Sequence, residues 1–271
     1  MLRSVCNRGL SAVQQIGHRG GCQAAGSLRE VGVAGAVRAV VFDWGGTLSE
    51  FVTVELVDAW RLVARHIDPA REEEITARLA QVEAEFWATT ASHQRSGTLA
   101  DLVARATATL GIDVGEALLE EAAVHHLDAW TPHIRHDPDA APTLAALRER
   151  GLRIGLLSNT HWPRAFHERF LERDGLVDLI DVRLYTSEMP FQKPHPSAFR
   201  AALDELAVAE PAEAVFVGDR PWDDVTGAQG VGMRAVLRPN PMITDTTPVD
   251  PDAVIRSLPD LVSVVARWQR S

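Results

Sequence analysis

Five short apolar runs, each bounded by turn-forming residues, do most to limit the folds open to this chain. They occupy residues 37–42, 153–157, 182–185, 214–217 and 233–237. Each run is too short for a helix and suits a strand buried on both faces of a parallel sheet. Helical patterns lie between them, at residues 142–150, 161–173, 196–208 and 222–230. This alternation predicts an α/β fold with a Rossmann-like, doubly wound parallel sheet.

The stretch from residue 51 to residue 130 breaks this alternation, because it contains one helical pattern after another. A helix is expected up to Ile67, and Pro69 begins a second, with three glutamates in its first turn. Thr98 and Asp101 have the spacing of a capping box, and a fourth helix should end at Trp130. We therefore predict an inserted all-helical subdomain at 51–130 and an α/β core at 37–50 and 131–271. Within the core, residues 240–251 should form a loop and 258–268 a final helix.

Residues 1–36 differ from the rest of the chain, since the first 28 contain three arginines and no acidic residue. We expect them to be an N-terminal extension outside the folded core. A transit peptide, a disordered extension and a misassigned start codon all remain open. The two cysteines, Cys6 and Cys22, both lie in this stretch, so the folded body has no thiol for a disulfide or a zinc site. A reducing cytoplasm suits this distribution.

Charge and hydropathy exclude some classes of partner. The formal net charge is -10, whereas a nucleic-acid-binding surface is usually basic. No apolar run reaches the roughly 18 residues that a membrane span requires. We therefore expect no nucleic-acid or membrane partner, and a monomer or a homodimer.

Polar side chains follow four of the predicted strands, where open α/β sheets place their ligands. Lys193 is the only lysine of the chain, and it precedes a helix, where a cation opposes the helix dipole. Three aspartates within six residues would repel one another unless a cation lay between them, and carboxylate oxygens suit Mg²⁺. The candidate residues, in chain order, are Asp43, Gly45, Gly46, Thr47, Ser158, Asn159, Lys193, Asp219, Asp223 and Asp224.

In this order, the four segments resemble the motifs of the haloacid-dehalogenase-like hydrolases. The resemblance covers residues 37 to about 237, and the helical insert falls where that family carries its C1 cap. It implies that Asp43 is the nucleophile and forms an aspartyl-phosphate, while Lys193 bridges Asp43 and the phosphate. It further implies that the phosphate binds to Thr47, Ser158 and Asn159. Mg²⁺ would be held by Asp43, the backbone carbonyl of Gly45, Asp219, and Asp224 or Asp223.

Gly45 departs from the family pattern. Phosphatases of the family usually carry a second aspartate at this position, which protonates the leaving group and then activates water. Three hypotheses follow. The chain is a phosphatase of a small metabolite whose acid–base group lies elsewhere, for example at Glu50, His66 or His93. Alternatively, Asp43 attacks carbon, as in the 2-haloacid dehalogenases, or the domain has lost most of its activity and only binds small molecules.

Three tryptophans lie beside these motifs: Trp44, Trp162 and Trp222. Converging strand ends could place them around one pocket mouth, which would favour an apolar or aromatic substrate. The alternative is that they pack the inserted helical cap against the core.

Overall fold

One parallel sheet organises the protein. The computed structural model describes residues 36–50 and 56–270. Its strands are β1 (Ala39–Phe42), β2 (Arg153–Ser158), β3 (Val182–Tyr185), β4 (Ala214–Gly218), β5 (Arg234–Leu237) and β6 (Ala253–Val254). Within the described residues they form a six-stranded sheet of order β3-β2-β1-β4-β5-β6, and every adjacent pair is parallel. The predicted doubly wound α/β fold is confirmed.

The five predicted strands are present, and β6 is the strand that the sequence did not indicate. It has two residues and follows the predicted loop, so it has no hydrophobic periodicity of its own. Tertiary contacts hold it in place: Asp252 accepts a hydrogen bond from the Ala235 backbone N–H at 2.8 Å. Such a strand exists only because β5 offers it a paired edge.

Helices cover both faces of the sheet. They are α1 (Leu56–Ile67), α2 (Glu72–His93), α3 (Leu99–Thr109), α4 (Glu116–Trp130), α5 (Ala140–Glu149), α6 (Arg164–Arg173), α7 (Pro196–Glu205), α8 (Gly227–Gly230) and α9 (Leu258–Trp268). Helices α5, α6 and α9 share one hydrophobic cluster with Val40 and Phe42, and α7 and α8 share another with Ala39 and Val41. Because successive β1 side chains point to opposite faces, this one strand contributes to both clusters. None of the helices in the described part of the chain is both long and apolar enough to cross a membrane.

The helix predicted at 222–230 differs from expectation. Residues Pro221–Thr226 form a π-helical segment, and α8 adds only one further turn. π-Helical turns occur often at functional sites. Here the wider turn lies directly after β4 and carries Asp224, which is buried.

Helices α1 to α4 follow β1, and their apolar faces share a hydrophobic cluster that includes Trp60, Ile75 and Leu79. The capping box predicted at Thr98 and Asp101 is present at the start of α3. The division into a cap and a core stays a prediction. Residues 1–35 of the predicted extension, with both cysteines, lie outside the described residues.

Candidate active site

The candidate site lies at the carboxyl ends of β1 and β4, the central neighbours of the sheet. The chain runs from β1 toward β3 on one side and from β4 toward β6 on the other, so the strand order reverses between these two strands. Ligands of open α/β sheets bind at this switch point. Asp43 follows β1, and its backbone N–H donates to the Val217 carbonyl at 2.8 Å. Asp219 follows β4, so the pairing of the two strands brings both carboxylates to one edge.

The loop after β1 depends on one of its two glycines. Gly46 has a φ of +82°, and a Cβ at this position would lie 2.0 Å from Asp219 Oδ2. Only glycine adopts this backbone conformation readily while leaving room for the carboxylate. Gly45 is different, because a Cβ built there meets nothing within 4 Å. The site can therefore accommodate a side chain at position 45 that this sequence does not supply.

Lys193 joins the two halves of the carboxylate cluster. Its Nζ donates to Asp43 Oδ1 at 2.6 Å and to Asp224 Oδ1 at 2.8 Å, and the side chain is 1% exposed. Burial by itself would lower the pKa of Lys193, but the charges of Asp224 and Asp43 outweigh it and raise this pKa. The raised pKa favours the charged ammonium of Lys193 in its contact with Asp43, while its bridging of Asp43 and phosphate stays a prediction.

Asn159 holds Lys193 in this position. Its Nδ2 donates to the Lys193 carbonyl and its Oδ1 accepts from the Lys193 backbone N–H, both at 2.9 Å. Both polar ends of the amide are thus occupied by the backbone of another candidate residue. This contact makes Asn159 a positioning residue, while direct binding of substrate by Asn159 stays a prediction.

Burial, together with the mutual repulsion of the carboxylates, raises the pKa values in this cluster. Burial raises the pKa of Asp43 in spite of the adjacent Lys193, and Asp224 adds to the rise. Burial, together with the charges of Asp43 and Asp224, raises the pKa of Asp219 to about 7. For Asp223, burial and the charge of Asp224 raise the pKa to about 6. An additional cation would offset this repulsion and favour the ionised form of each carboxylate.

Three of these acids form a group suited to a metal ion. Asp43, Asp219 and Asp224 are buried, and one oxygen from each lies within 4.8 Å of the others. Asp219 Oδ1 is buried without a hydrogen-bond partner among the described residues, while Oδ2 accepts from Asn240 Nδ2 at 2.9 Å. An all-oxygen set fits a hard divalent cation such as Mg²⁺. The residues present therefore fit the metal that the sequence predicts, with Asp224 in the group rather than Asp223.

Thr47 lies in the loop after β1, and Ser158 lies at the end of β2. Thr47 Oγ1 is buried without a hydrogen-bond partner among the described residues, although a buried hydroxyl normally has one. Ser158 is the last residue of β2 and is also buried. These placements suit the predicted contacts with phosphate. Those roles, and the ligand role of the Gly45 carbonyl, stay predictions.

The candidates for a substitute acid–base group lie on the surface or have other partners. Glu50 and His93 are exposed. His66 contacts Glu121 Oε2 at 3.3 Å and the ring of His125 at 3.2 Å, all on the inserted helices.

Two of the three tryptophans lie in the interior, while their role between cap and core stays a prediction. Trp44 belongs to the core cluster of the sheet, and Trp162 packs against that cluster. The Trp162 ring lies 5.1 Å from Trp130 and 6.4 Å from Trp44. Trp222 is 37% exposed, and its backbone N–H donates to Asp245. Packing of the interior therefore accounts for Trp44 and Trp162.

Two residues of the site, Arg238 and Asn240, are not among the candidates that the sequence indicates. Arg238 donates to the Thr47 carbonyl and to Asp137, and so connects the segment after β5 to the loop after β1. Asn240 donates to Asp219. Both follow the end of β5, so the rule that pointed to the other strand ends could have indicated them.

Comparison with known proteins gives the site a context. A model of the haloacid dehalogenase-like hydrolases matches residues 37–232. A glyceraldehyde 3-phosphate phosphatase of Methanopyrus kandleri is 31% identical over 183 residues, which are 68% of this chain and 73% of that protein. Seven further curated relatives are covered over 39% to 58% of their length.

Solved structures of a dehalogenase and a phosphatase are similar to this chain over most of its length. A 2-haloacid dehalogenase from Pseudomonas syringae pv. Tomato DC3000 is 26% identical, with a TM-score of 0.64 over 86% of this chain and 99% of that one. An HAD phosphatase from Thermococcus onnurineus is also 26% identical, with a TM-score of 0.58 over 84% and 98% of the two chains.

Proposed function

This chain belongs to the haloacid dehalogenase-like hydrolases, and we propose that it is a Mg²⁺-dependent phosphatase of a small phosphorylated metabolite. The observation that carries the proposal is the buried contact of Lys193 with Asp43, beside the metal-compatible group that includes Asp219. The phosphatase from Methanopyrus kandleri supports the choice of a phosphate ester.

In the proposed reaction, a carboxylate oxygen of Asp43 attacks phosphorus, and the bond from phosphorus to the leaving oxygen breaks. The ammonium of Lys193 stabilises charge on the transferring phosphoryl group, since a fixed positive charge in a buried site costs little reorganisation. Water then attacks the phosphorus of the aspartyl-phosphate, which releases inorganic phosphate and regenerates the Asp43 carboxylate.

Asp43, Asp219, Asp224 and the Gly45 carbonyl would hold Mg²⁺. The bound ion would supply positive charge that lets an anionic phosphate approach Asp43. Thr47 and Ser158 would donate hydrogen bonds to phosphate oxygens. Thr47 Oγ1 has no hydrogen-bond partner in the described part of the chain, and substrate could accept its proton.

Gly45 limits the kinds of substrate that such a site can process. The leaving oxygen must gain a proton, and position 45 offers no group to donate it, so water or a group outside this loop has to supply the proton. General acid catalysis contributes about 10²–10⁴-fold in rate. We therefore expect the enzyme to favour phosphate esters with acidic leaving groups, which need less protonation.

Dehalogenation of a 2-haloacid is the second candidate. In that reaction Asp43 would attack carbon and displace halide, a step that needs no proton donor at position 45. Water would then hydrolyse the ester and regenerate the Asp43 carboxylate. The 2-haloacid dehalogenase from Pseudomonas syringae favours this alternative. The cluster of Asp219 and Asp224 favours the phosphatase, because it needs a cation.

A pair of assays on the purified chain separates the two activities. We expect hydrolysis of an aryl phosphate that requires Mg²⁺ and stops on chelation. Asp43→Asn should abolish it, while Asp58→Asn, the same change on an exposed residue of α1, should leave it intact. Halide release from 2-haloacids that persists in chelator would instead establish dehalogenation. A lack of either activity in folded protein would favour a binding domain.

A further inference from the structure

A second group of potential metal ligands lies between the inserted helices and the sheet. Glu83 comes from α2, His126 from α4, and His161 from the loop after β2. All three are buried, at 4%, 0% and 5% exposure. One ligand atom from each lies within 4.8 Å of the others. None of the three takes part in the chemistry proposed for Asp43.

The two histidines leave their polar atoms unsatisfied. Both ring nitrogens of His126 and both of His161 are buried without a hydrogen-bond partner among the described residues. A neutral imidazole carries one donor and one acceptor, and a buried unsatisfied polar group costs about 1–3 kcal/mol. Packing against the Trp60 and Trp87 rings explains the shape of this cluster. This packing does not explain why the nitrogens of the two imidazoles are buried without hydrogen-bond partners among the described residues.

The spacing within the group matches metal coordination better than hydrogen bonding. His161 Nε2 lies 3.5 Å from Glu83 Oε1, which is longer than the 2.7 Å hydrogen bond that Trp60 donates to Glu83. Two ligand atoms of a tetrahedral zinc ion, each about 2.0–2.1 Å from the metal, lie roughly 3.4 Å apart. Trp60 Nε1 donates to the other oxygen, Glu83 Oε2, at 2.7 Å. Such an outer hydrogen bond orients a ligating carboxylate.

We propose that Glu83, His126 and His161 bind a divalent transition-metal ion of the zinc type. Two imidazole nitrogens and one carboxylate oxygen suit zinc or cobalt better than magnesium, which prefers oxygen ligands alone. Three protein ligands leave a fourth position for water or another small ligand. The proposal stands independently of the phosphatase, because it uses different residues and a different class of metal.

The surroundings favour ligation over charge pairing. Burial lowers the pKa of His161 to about 3, and burial with the charge of His161 lowers that of His126 to about 3 as well. Both rings are therefore neutral at pH 7 and keep a lone pair for a metal. Burial raises the pKa of Glu83, while hydrogen bonds from Trp60 and Trp87 oppose the rise. A bound cation would favour the ionised carboxylate further.

A metal at this point would join the inserted helices to the sheet. Two ligands belong to inserted helices, and His161 follows β2. The two parts already meet here, since the Leu99 backbone N–H donates to the His161 carbonyl at 2.8 Å. Binding should therefore raise the melting temperature of the whole described body.

The test uses the full chain, stripped of metal and then held in excess Mg²⁺ to occupy the carboxylate site. Co²⁺ is titrated and followed by visible absorption, and Zn²⁺ binding is measured by calorimetry. Glu83→Gln keeps an oxygen for Trp60 but removes the charge, and His161→Gln removes a nitrogen ligand. His125→Gln is the matched control, because His125 contacts His66 on the helix surface.

We expect the wild-type chain and His125→Gln to bind one equivalent of Co²⁺ with the intense absorption of four-coordinate cobalt. Glu83→Gln and His161→Gln should lose more affinity than the roughly 10–100-fold that removal of an outer partner costs. Asp43→Asn should keep the absorption. The proposal is wrong if folded wild-type protein binds neither Co²⁺ nor Zn²⁺ in excess Mg²⁺. It is equally wrong if Asp43→Asn abolishes binding, or if both ligand variants retain it.

Discussion

Gly45 and Gly46 offer a direct test of the site geometry, because they are adjacent and identical but stand in different surroundings. Gly46→Ala places a methyl group 2.0 Å from Asp219 Oδ2 and 2.8 Å from Asn240 Nδ2. At Gly45 the same methyl group meets nothing within 4 Å. We predict that Gly46→Ala destabilises the protein and displaces Asp219, whereas Gly45→Ala does neither.

The magnitude at Gly46 has two sources. An L-residue at a φ of +82° pays about 1–2 kcal/mol for the left-handed conformation. Forcing an additional carbon into an occupied space costs about 1–3 kcal/mol. Together these give a loss of about 2–5 kcal/mol in the free energy of unfolding, against less than about 0.5 kcal/mol for Gly45→Ala.

Urea unfolding of both variants measures the free energies, with an unchanged slope as the sign that only the native state is affected. Calorimetric titration with Mg²⁺ then measures the carboxylate site, whose affinity should fall in Gly46→Ala and persist in Gly45→Ala. Equal unfolding midpoints for the two variants, or full Mg²⁺ affinity in Gly46→Ala, would refute the argument that the close approach of Gly46 to Asp219 shapes the site.

Three further changes test the chemistry and the interior. Gly45→Asp should raise the turnover of phosphate esters with poor leaving groups, up to about 10²–10⁴-fold, because the open space admits an acid–base group; unchanged turnover would mean that protonation does not limit the reaction. Lys193→Met should reduce phosphatase turnover by at least about 10²-fold. It should also cost about 3–5 kcal/mol of stability at pH 7, because Asp43 and Asp224 lose their buried partner. That cost should shrink at lower pH as Asp43, whose pKa is raised by burial, takes up a proton, and denaturation at two pH values checks it. Burial, then the charges of neighbouring histidines, lowers the pKa of His167 from 6.5 to about 3, so the unfolded chain binds more protons between these values and stability falls as pH drops below 6.5. Between pH 7 and pH 5 the free energy of unfolding should fall by about 2 kcal/mol through His167. His167→Phe should lose this part of the pH dependence, as measured by unfolding curves at the two pH values. An equal pH dependence in wild type and variant would contradict the low pKa of His167.

The elements of the fold follow from local patterns. The apolar runs become β1 to β5, because buried parallel strands need continuous hydrophobic residues on both faces. The capping box at Thr98 was visible because it satisfies backbone groups only three residues away. The strand β6 was not, since its two residues depend on pairing with β5.

The sequence also predicts, in part, that the candidate residues meet at one edge of the sheet. Asp43, Lys193 and Asp219 each follow a strand, and the carboxyl ends of parallel strands share one edge of the sheet. The direction and order of the strands were enough to predict that these three residues lie close together. The exchange of hydrogen bonds between Asn159 and Lys193 depends instead on atomic distances that no local pattern contains.

The sequence by itself determined the α/β sheet, the inserted helices and the grouping of chemically active residues at strand ends. Periodicity, turn chemistry and chain direction depend on residues that are close together in the chain, so they can be read from the amino-acid sequence. Tertiary structure alone decided that Gly45 faces open space while Gly46 touches Asp219, and that Glu83, His126 and His161 meet. Those outcomes depend on how separate elements pack, so they come from contacts between residues far apart in the chain.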